Sequence, residues 1–349
     1  MAKLSTSNVG PHDNIIINGD FDIWQRGISF AAAATSIFTA DRFEHKKSSD
    51  AVVTLTRDTD VPTQAESDHL SNYSHKLDVT TADATIAAGQ FQSMAYQIEG
   101  YDFAPLQGKY GTFSFWVKST KTGIFCLSMW CSGADNSYVA EYTVNASDTW
   151  EKKTITVNFN GADTGTWDYT NGRGLEIRWV VACGSTYHGT ADTWQASQKL
   201  ATSNQVNGLD NTANNFSLAQ VKLELGTVAT PLEPRPFAEE LAMCQRYYEK
   251  SYDHGKYPGY TDYEGMDYTA SNGTSYLHTI PWAVFKRAIP TIVTYSPQGG
   301  AAGYAYAFNV AADIAVTSTT PGERSMYVII NSTTDGHKYG VHYTVDAEL

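Results

Sequence analysis

The sequence predicts an all-β protein: a jelly-roll β-sandwich, then a short linker helix, then a smaller C-terminal β-sandwich domain. Alternating apolar and polar residues recur in about ten segments before Gly226, and such alternation is typical of half-buried strands. Only one segment repeats apolar residues at helical spacing. Charged residues make up 17% of the chain and aromatic residues 13%, a balance that favours β-sandwiches and their loops.

The predicted strands of the first domain share a period of two residues. In 112–119, Phe113, Phe115 and Val117 fall on one face of a strand, and in 175–183 Ile177 and Trp179 do the same. About ten strands without a convincing helix fit a two-sheet jelly roll. The ten segments are 14–18, 51–57, 75–80, 90–100, 112–119, 124–131, 137–145, 150–159, 175–183 and 216–225.

A proline-rich connector and a helix follow the last of these strands. The stretch 230–236 holds three prolines, which fix φ and donate no hydrogen bond, so neither a helix nor a central strand is expected there. Phe237, Leu241, Cys244 and Tyr248 then recur at offsets of four, three and four, which predicts one helical face.

After the helix the sequence predicts a smaller β domain rich in tyrosine and glycine. In its last strand Tyr339, Val341, Tyr343 and Val345 share one face. The chain of 349 residues is too long for one ordinary core, which favours several domains. The predicted organisation is an N-terminal arm at 1–13, the jelly-roll domain at 14–230, the linker and helix at 231–252 and the C-terminal domain at 253–349.

The charge balance argues against nucleic-acid binding, and the lack of a long apolar run argues against membrane insertion. The chain carries 24 Lys and Arg against 37 Asp and Glu, with no basic cluster, whereas nucleic-acid binders show a basic face. No apolar run reaches the roughly 18–20 residues that span a bilayer, and the N-terminus lacks the apolar core of a signal peptide. The four cysteines form no CxxC pair, so we expect free thiols in apolar surroundings.

The motifs of common enzymes are missing from the sequence. It contains no GxSxG elbow, no GxGxxG, no P-loop and no HExxH. Glycoside hydrolysis needs two carboxylates at a defined separation, and carboxylates on β loops are more often solvated. The sequence therefore predicts a protein that is not an enzyme and requires no cofactor.

Aromatic residues in two long loops are the main functional signal. The apolar C–H faces of sugar rings stack on Trp and Tyr rings, and neighbouring polar side chains can bond the hydroxyl groups. Alternatively, Trp167 and Trp194 plug the ends of the sandwich. The candidate glycan-binding residues are Trp167, Asp168, Tyr169, Asn171, Arg173, Tyr187 and Trp194.

Several short segments resemble one family of proteins. They are NIIINGDFDIWQRG at 14–27, ADRF at 40–43, TFSFWVKS at 112–119, the junction KLELGTVATPLEPRP with ELAMCQRYYEK, and the closing VDAEL. Their order and combination resemble those of phage and prophage tail-fibre proteins. The resemblance implies a virion protein, made in the host cytoplasm, that attaches to other virion proteins through its arm, forms a homotrimer and binds a host receptor.

The segment NGDFDIW also resembles the opening of jelly-roll carbohydrate-binding modules. That resemblance implies a structural calcium ion, for which Asp20, Asp22 and Glu224 are the candidate oxygen ligands. The alternative is that Asp20 or Asp22 caps a turn.

Three functions follow from these observations. In the first, the protein is a tail fibre or receptor-binding component whose weak glycan contacts gain avidity from several copies. In the second, it is a virion decoration or adaptor protein that never contacts the host. In the third, it is a glycan depolymerase, although the chain shows no internal repeats of the kind that long β-helical tailspikes carry.

Overall fold

The computed structural model describes residues 14–32, 35–160, 164–270, 275–331 and 336–349. The predicted arm at 1–13 lies outside the described residues. The described chain divides into two compact units. The first takes the residues up to Asp22, Ile28–Thr39 and Phe43–Pro236, and the second takes Ile23–Gly27, Ala40–Arg42 and Phe237–Leu349.

The described part of the first unit is built from strands with two single-turn helices between them. In chain order these elements are β1 (Ser29–Ala32), β2 (Ser36–Phe38), β3 (Phe43–Lys47), β4 (Val52–Asp58), α1 (Gln64–Ser67), β5 (Ser74–Thr81), β6 (Phe91–Glu99), α2 (Gly100–Phe103), β7 (Tyr110–Ser119), β8 (Gly123–Cys131), β9 (Asn136–Val144), β10 (Glu151–Asn158), β11 (Arg173–Cys183), β12 (Trp194–Ala196) and β13 (Asn215–Leu225).

These strands form two antiparallel sheets, which make a jelly-roll β-sandwich. The first sheet has the order β1-β4-β5-β13-β7-β10, and the second has the order β12-β9-β8-β11-β6-β3-β2. Several neighbours in the sheets are far apart in sequence, as when β13 pairs with both β5 and β7. The predicted all-β fold with a jelly-roll sandwich is therefore confirmed.

The core of the first unit lies between the two sheets. Phe113, Phe115 and Val117 of β7 are fully buried, as are Ile177 and Trp179 of β11. The rings of Phe115 and Trp179 meet edge to face at 5.9 Å across the sandwich. Fully burying each such side chain contributes roughly 1.5–3 kcal/mol. The residues that the alternation placed on one face of each strand are therefore residues of the core.

A long loop covers part of the second sheet on the face that points away from the core. The loop between β11 and β13 brings two buried residues onto β8, β9 and β11, where together they form a small apolar cluster. The sequences of these strands are therefore apolar on both faces in this region. The cluster consists of Cys126, Trp130, Val139, Val180, Leu200 and Ala201.

The described cysteines carry free thiols. Cys126, Cys131 and Cys244 are buried, and Cys183 is partly exposed. Burial raises the pKa of Cys126 to about 11 and that of Cys183 to about 12. The protonated thiol is thus favoured at neutral pH, as expected for cysteines that act as small apolar residues.

The second unit contains the linker helix and a smaller set of strands. They are α3 (Phe237–Gln245), β14 (Tyr248–Lys250), β15 (Asp267–Ala270), β16 (Ser275–Pro281), β17 (Thr291–Tyr295), β18 (Tyr304–Ala307), β19 (Ala312–Ala315), β20 (Ser318–Pro321), β21 (Ser325–Asn331) and β22 (Lys338–Asp346). The strands form a six-stranded sheet around β22 and a three-stranded sheet with the order β16-β21-β20.

The core of the second unit lies on the predicted face of β22. Tyr339, Val341, Tyr343 and Val345 are all buried, and they pack with residues of β16, β18 and β21. Val341 and Val345 are completely inaccessible to solvent. The prediction of a smaller β-sandwich domain at the C-terminal side is confirmed.

Two local predictions are wrong. The helix ends at Gln245, and Tyr248 begins β14, where it pairs with Asp346 of β22. The segment 14–18 is not a strand but a turn: the side-chain oxygen of Asn14 accepts the N–H of Ile16 at 2.9 Å, and Asn18 has a φ of 60°. Small polar side chains stabilise such turns and tolerate the left-handed region.

Three of the segments that carry the family resemblance meet in the second unit. The Arg26 guanidinium lies 3.8 Å from Asp41, 3.4 Å from Asp346 and 3.3 Å from Glu348, and Arg42 pairs with Glu348. We call these five residues the ionic cluster. Arg42, Asp41 and Glu348 are almost completely buried. These motifs therefore build the scaffold of the unit.

Candidate functional site

The loop that follows β10 is fastened to α2 by its backbone. Within its described part, 164–172, the Asp168 Oδ1 atom accepts the N–H of Thr170 at 2.6 Å and its hydroxyl at 2.7 Å. The Thr170 carbonyl accepts the N–H of Tyr101 at 2.8 Å. A Cβ on Gly100 would lie 2.5 Å from the Asp168 carbonyl oxygen, so only glycine permits this approach.

This loop places two of the predicted aromatic residues in one group of rings. Trp167 stacks on Phe103 at 4.8 Å, and Tyr169 stacks on the same ring at 6.1 Å. Trp194, from β12, meets Trp167 edge to face at 5.7 Å and packs on Phe159 at 5.9 Å. We call these five residues the aromatic cluster.

The outer rings of the aromatic cluster remain partly open to solvent. Phe103 and Phe159 are buried, Trp167 and Trp194 are partly buried, and 40% of Tyr169 is exposed. The indole N–H groups donate to backbone carbonyls, that of Trp167 to Thr164 and that of Trp194 to Asn158, each at 2.9 Å. The indoles thus partly close this end of the unit, while Tyr169 presents a ring to solvent. Tyr101, which is 58% exposed, is held near by its backbone bond to Thr170, the residue after Tyr169.

The predicted polar partners are engaged mainly within the protein. Asp168 holds the turn described above. The Arg173 guanidinium donates to Glu176 and to the Ser132 carbonyl, each at 2.6 Å. Asn171 is an exposed residue of the loop itself. Arg173 therefore anchors the end of the loop.

Tyr187 lies apart from the aromatic cluster. Its ring meets Phe91 edge to face at 5.5 Å and packs against the apolar cluster under the long loop. The structure thus brings together Trp167, Tyr169 and Trp194 of the four predicted aromatic residues and places Tyr187 elsewhere.

The three candidate calcium ligands are not brought together. The Asp20 carboxylate accepts hydrogen bonds from His69 at 2.8 Å and Ser71 at 2.6 Å. Asp22 accepts the amide of Asn72, and Glu224 accepts the N–H and hydroxyl of Thr230. Among the described residues, no group of three His, Cys, Asp or Glu side chains could hold a metal ion. Asp20 thus accepts hydrogen bonds from side chains that lie 49 and 51 positions further along the chain.

The grouping of Asp20, His69 and Ser71 has the composition of a hydrolase triad but not its order. Nucleophile activation needs the histidine between the serine and the carboxylate, so that the imidazole takes the hydroxyl proton. Here both His69 and Ser71 bond to Asp20, which lies in the middle. Burial raises the pKa of Asp20, against the opposing effect of His69, and the bond to Asp20 raises the pKa of His69. The arrangement stabilises a loop and offers no activated hydroxyl.

Sequence reasoning missed a buried charged row on the second sheet. Glu176 pairs with Arg173, with Arg178 at 2.8 Å and with Lys46 at 3.2 Å. Burial acts to raise the pKa of Glu176, but Arg178, Lys46 and Arg173 outweigh it, so that its pKa is lowered. The Arg178 guanidinium also lies 4.3 Å from the ring centre of Trp130. Alternation marks these residues as facing away from the core, but it does not indicate that they are covered.

No protein-family model and no curated protein sequence matches this chain. Among solved structures, the enzymatically active domain of bacteriophage CBA120 tailspike protein 4 is similar over 62% of this chain and 22% of its own length, with 14% identity and a TM-score of 0.32. A putative sugar binding protein from Bacteroides thetaiotaomicron is similar over 61% of this chain and all of its own, with 10% identity and a TM-score of 0.36.

A family 11 carbohydrate-binding module of a Clostridium thermocellum cellulase is similar over 57% of this chain and 99% of its own, with 12% identity and a TM-score of 0.30. Likenesses of this size carry no functional assignment. Within the described residues, no helix has the length and apolar character needed to cross a membrane.

Proposed function

We propose that this protein is a non-enzymatic structural component of a phage virion, a tail fibre or receptor-binding protein that contacts host-surface glycans. The aromatic cluster is the observation that carries the proposal. It presents Tyr169 to solvent, stacked on the buried ring of Phe103, and Tyr101 adds a second exposed ring. Because the indole N–H groups are already bonded internally, a sugar ring can use the apolar faces without competing for them.

The virion role is supported by the sequence resemblance to tail-fibre proteins. That resemblance also suggests a homotrimer and attachment to other virion proteins through residues 1–13. The second unit exposes large apolar side chains that subunit contacts would cover. Examples are Ile289, Tyr260, Val310 and Tyr268, which are 69%, 54%, 52% and 47% exposed.

Adhesion by such a protein would rest on several weak contacts. Single glycan contacts in the millimolar range contribute about 4 kcal/mol each. Linking three or more copies on one particle raises the avidity by about 10²–10⁴ without any new contact.

The glycan-binding surface is tested by removing the two exposed rings. The double variant Tyr101→Ala/Tyr169→Ala is expected to weaken binding to host cells or to a glycan array at least ten-fold. The matched control is Leu70→Ala, which removes an apolar side chain that is 70% exposed in the first unit and lies outside the aromatic cluster. Equal binding by the double variant and the wild type would show that the aromatic cluster does not bind the glycan.

The virion role is tested by the mass in solution and by location on the particle. A homotrimer has three times the chain mass of 38.3 kDa, about 115 kDa, by light scattering. Antibody labelling of intact particles in the electron microscope should mark the tail. Labelling of the head, together with a blank glycan array, would instead favour the decoration or adaptor role.

The absence of catalysis is tested with host polysaccharide as the substrate. We expect no release of reducing ends on prolonged incubation with the purified protein. Catalytic release that depends on one pair of carboxylates would favour the depolymerase function.

A further inference from the structure

The second unit contains an open cavity of about 440 Å³ lined by Trp282, Phe285 and Arg324. This volume falls in the range of small-molecule sites, roughly 300–1,000 Å³. Trp282 and Phe285 follow β16 directly, and Arg324 ends the turn that precedes β21. The cavity is therefore formed where the ends of two paired strands meet.

The walls of this cavity are fixed by hydrogen bonds. The Trp282 N–H donates to the Arg324 carbonyl at 2.9 Å, and the Lys286 N–H donates to the Glu323 carbonyl at 2.8 Å. The Trp282 indole N–H donates to the Gly322 carbonyl at 3.0 Å. Three bonds thus join the two segments, so the cavity is formed before any ligand arrives, which lowers the entropic cost of binding.

The lining combines apolar rings with one positive charge. Phe285 is 45% exposed, and the Arg324 guanidinium lies 5.3 Å from the centre of its ring. Among the described residues, no carboxylate lies within ion-pair distance of Arg324. By contrast, the ammonium of the neighbouring Lys286 is buried and pairs with Glu249 at 2.5 Å. Arg324 is exposed and retains its charge for a ligand, in a chain whose net charge is −13.

We propose that this cavity binds a saccharide ring that carries a carboxylate, as in a uronic acid. The apolar face of the ring would lie on Phe285, beside Trp282, which lines the cavity although it is only 8% exposed. The carboxylate would accept hydrogen bonds from the guanidinium of Arg324. A guanidinium presents donors in a planar fork that matches a carboxylate. The choice of a saccharide rests on the proposed function, which it extends by naming an acidic sugar and a second place of contact.

The test compares two sugars that differ in charge. Methyl β-D-glucuronide and methyl β-D-glucoside are titrated into the full chain while the indole N–H resonance of Trp282 is followed by NMR. We expect the glucuronide to shift this resonance and to bind at least ten-fold more tightly than the glucoside. In Arg324→Gln the two sugars should bind equally, and in Phe285→Leu both should bind more weakly.

A matched control removes the same charge at another place. The Arg57 guanidinium lies 4.3 Å from the ring centre of Tyr73 in the first unit, so Arg57→Gln removes an arginine that also lies over an aromatic ring. This variant should keep the preference for glucuronide. Equal responses to both sugars in the wild type, or loss of the preference in Arg57→Gln, would overturn the inference.

The outcome also separates this inference from the proposed function. If Tyr101→Ala/Tyr169→Ala loses host-glycan binding while glucuronide does not shift the Trp282 resonance, only the proposal of an acidic-sugar site is wrong. If the glucuronide binds at Trp282 while the double variant keeps full glycan binding, the aromatic cluster is wrong and the cavity stands.

Discussion

Gly19 shows how a single residue can be fixed by its surroundings. A Cβ built on this glycine would lie 2.0 Å from the Val221 carbonyl oxygen and 3.0 Å from the amide nitrogen of Asn14. The nearest obstacle is backbone of β13, which cannot rotate away as a side chain can. The glycine of the NGDFD motif is therefore required by packing.

We predict that Gly19→Ala lowers the free energy of unfolding of the first unit by about 1–3 kcal/mol, the usual cost of overpacking. Chemical denaturation followed by circular dichroism measures the change. Gly89→Ala is the matched control, because a Cβ there meets nothing within 4 Å, and it should change stability by less than about 0.5 kcal/mol. Equal stability of the two variants would contradict the argument.

Two buried histidines make the first unit sensitive to acid. Burial lowers the pKa of His45 and of His75 to about 3, and a smaller contribution comes from Lys47 for His45 and from His45 for His75. The unfolded chain takes up these protons near pH 6.5, whereas the folded chain does so only near pH 3. Stability from this source is therefore complete above pH 6.5 and is lost as the pH falls toward 3.

Each histidine should cost about 1.4 kcal/mol per pH unit in this window. We predict that His45→Gln reduces the loss of stability between pH 7 and pH 5 by about 2 kcal/mol, measured from urea unfolding at both pH values. Because desolvation is the main cause, 0.5 M NaCl should leave the difference in place, whereas surface ion pairs would be screened. A variant with the wild-type pH dependence would refute this account.

At the scale of the element, the strands were predictable wherever their pattern is local. In β7, β11 and β22, apolar and polar residues alternate along consecutive positions, and each strand buries the predicted face. The end of α3 was not predictable, because Tyr248 leaves the helix to pair with Asp346, almost a hundred residues away. The spacing of apolar residues along a helix contains no information about a strand partner so far away in sequence.

In the candidate site, too, local sequence patterns were informative and distant contacts were not predictable. The loop aromatics Trp167 and Trp194 could be picked out as candidates, but sequence could not show that they share a cluster while Tyr187 does not. The burial of Glu176 and the cavity lined by Phe285 and Arg324 depend on segments that meet only in the fold. Local patterns thus identify residue types, and distant contacts decide their roles.

The end of β22 leads into the ionic cluster, where Glu348 is the decisive residue. It lies 3.3 Å from Arg26, pairs with Arg42 and is almost fully buried, so its removal leaves two arginines without their main partner. We predict that Glu348→Gln destabilises the second unit by about 3–5 kcal/mol. Hydrogen exchange of the β22 amides measures the change.

Asp346 provides the matched control in the same cluster. It lies 3.4 Å from Arg26, but its side chain is 42% exposed. Water can replace such a partner, so Asp346→Asn should cost no more than about 1 kcal/mol. Equal effects of the two variants would mean that burial does not set the strength of these pairs.

At the scale of the molecule, the second unit is not a continuous piece of chain. It takes Ile23–Gly27 and Ala40–Arg42 in addition to Phe237–Leu349. The first of these segments contains Ile23 and Trp24, both buried. The unit therefore depends on residues that a division at the proline-rich connector would remove.

We predict that a fragment of residues 237–349 does not fold by itself. It lacks the buried Trp24, and it leaves Glu348 without Arg26 and Arg42. Amide NMR spectra should show the narrow dispersion of an unfolded chain, while the full chain shows wide dispersion. A fragment that unfolds cooperatively would show that the two short segments are dispensable.

The ionic cluster also sets an order of events during translation. Arg26 and Glu348 are separated by 322 positions. At about 5–20 residues per second, Arg26 is synthesised roughly 15–65 s before its partner. A chain that ends before position 348 therefore lacks the carboxylate that pairs with Arg26 and Arg42.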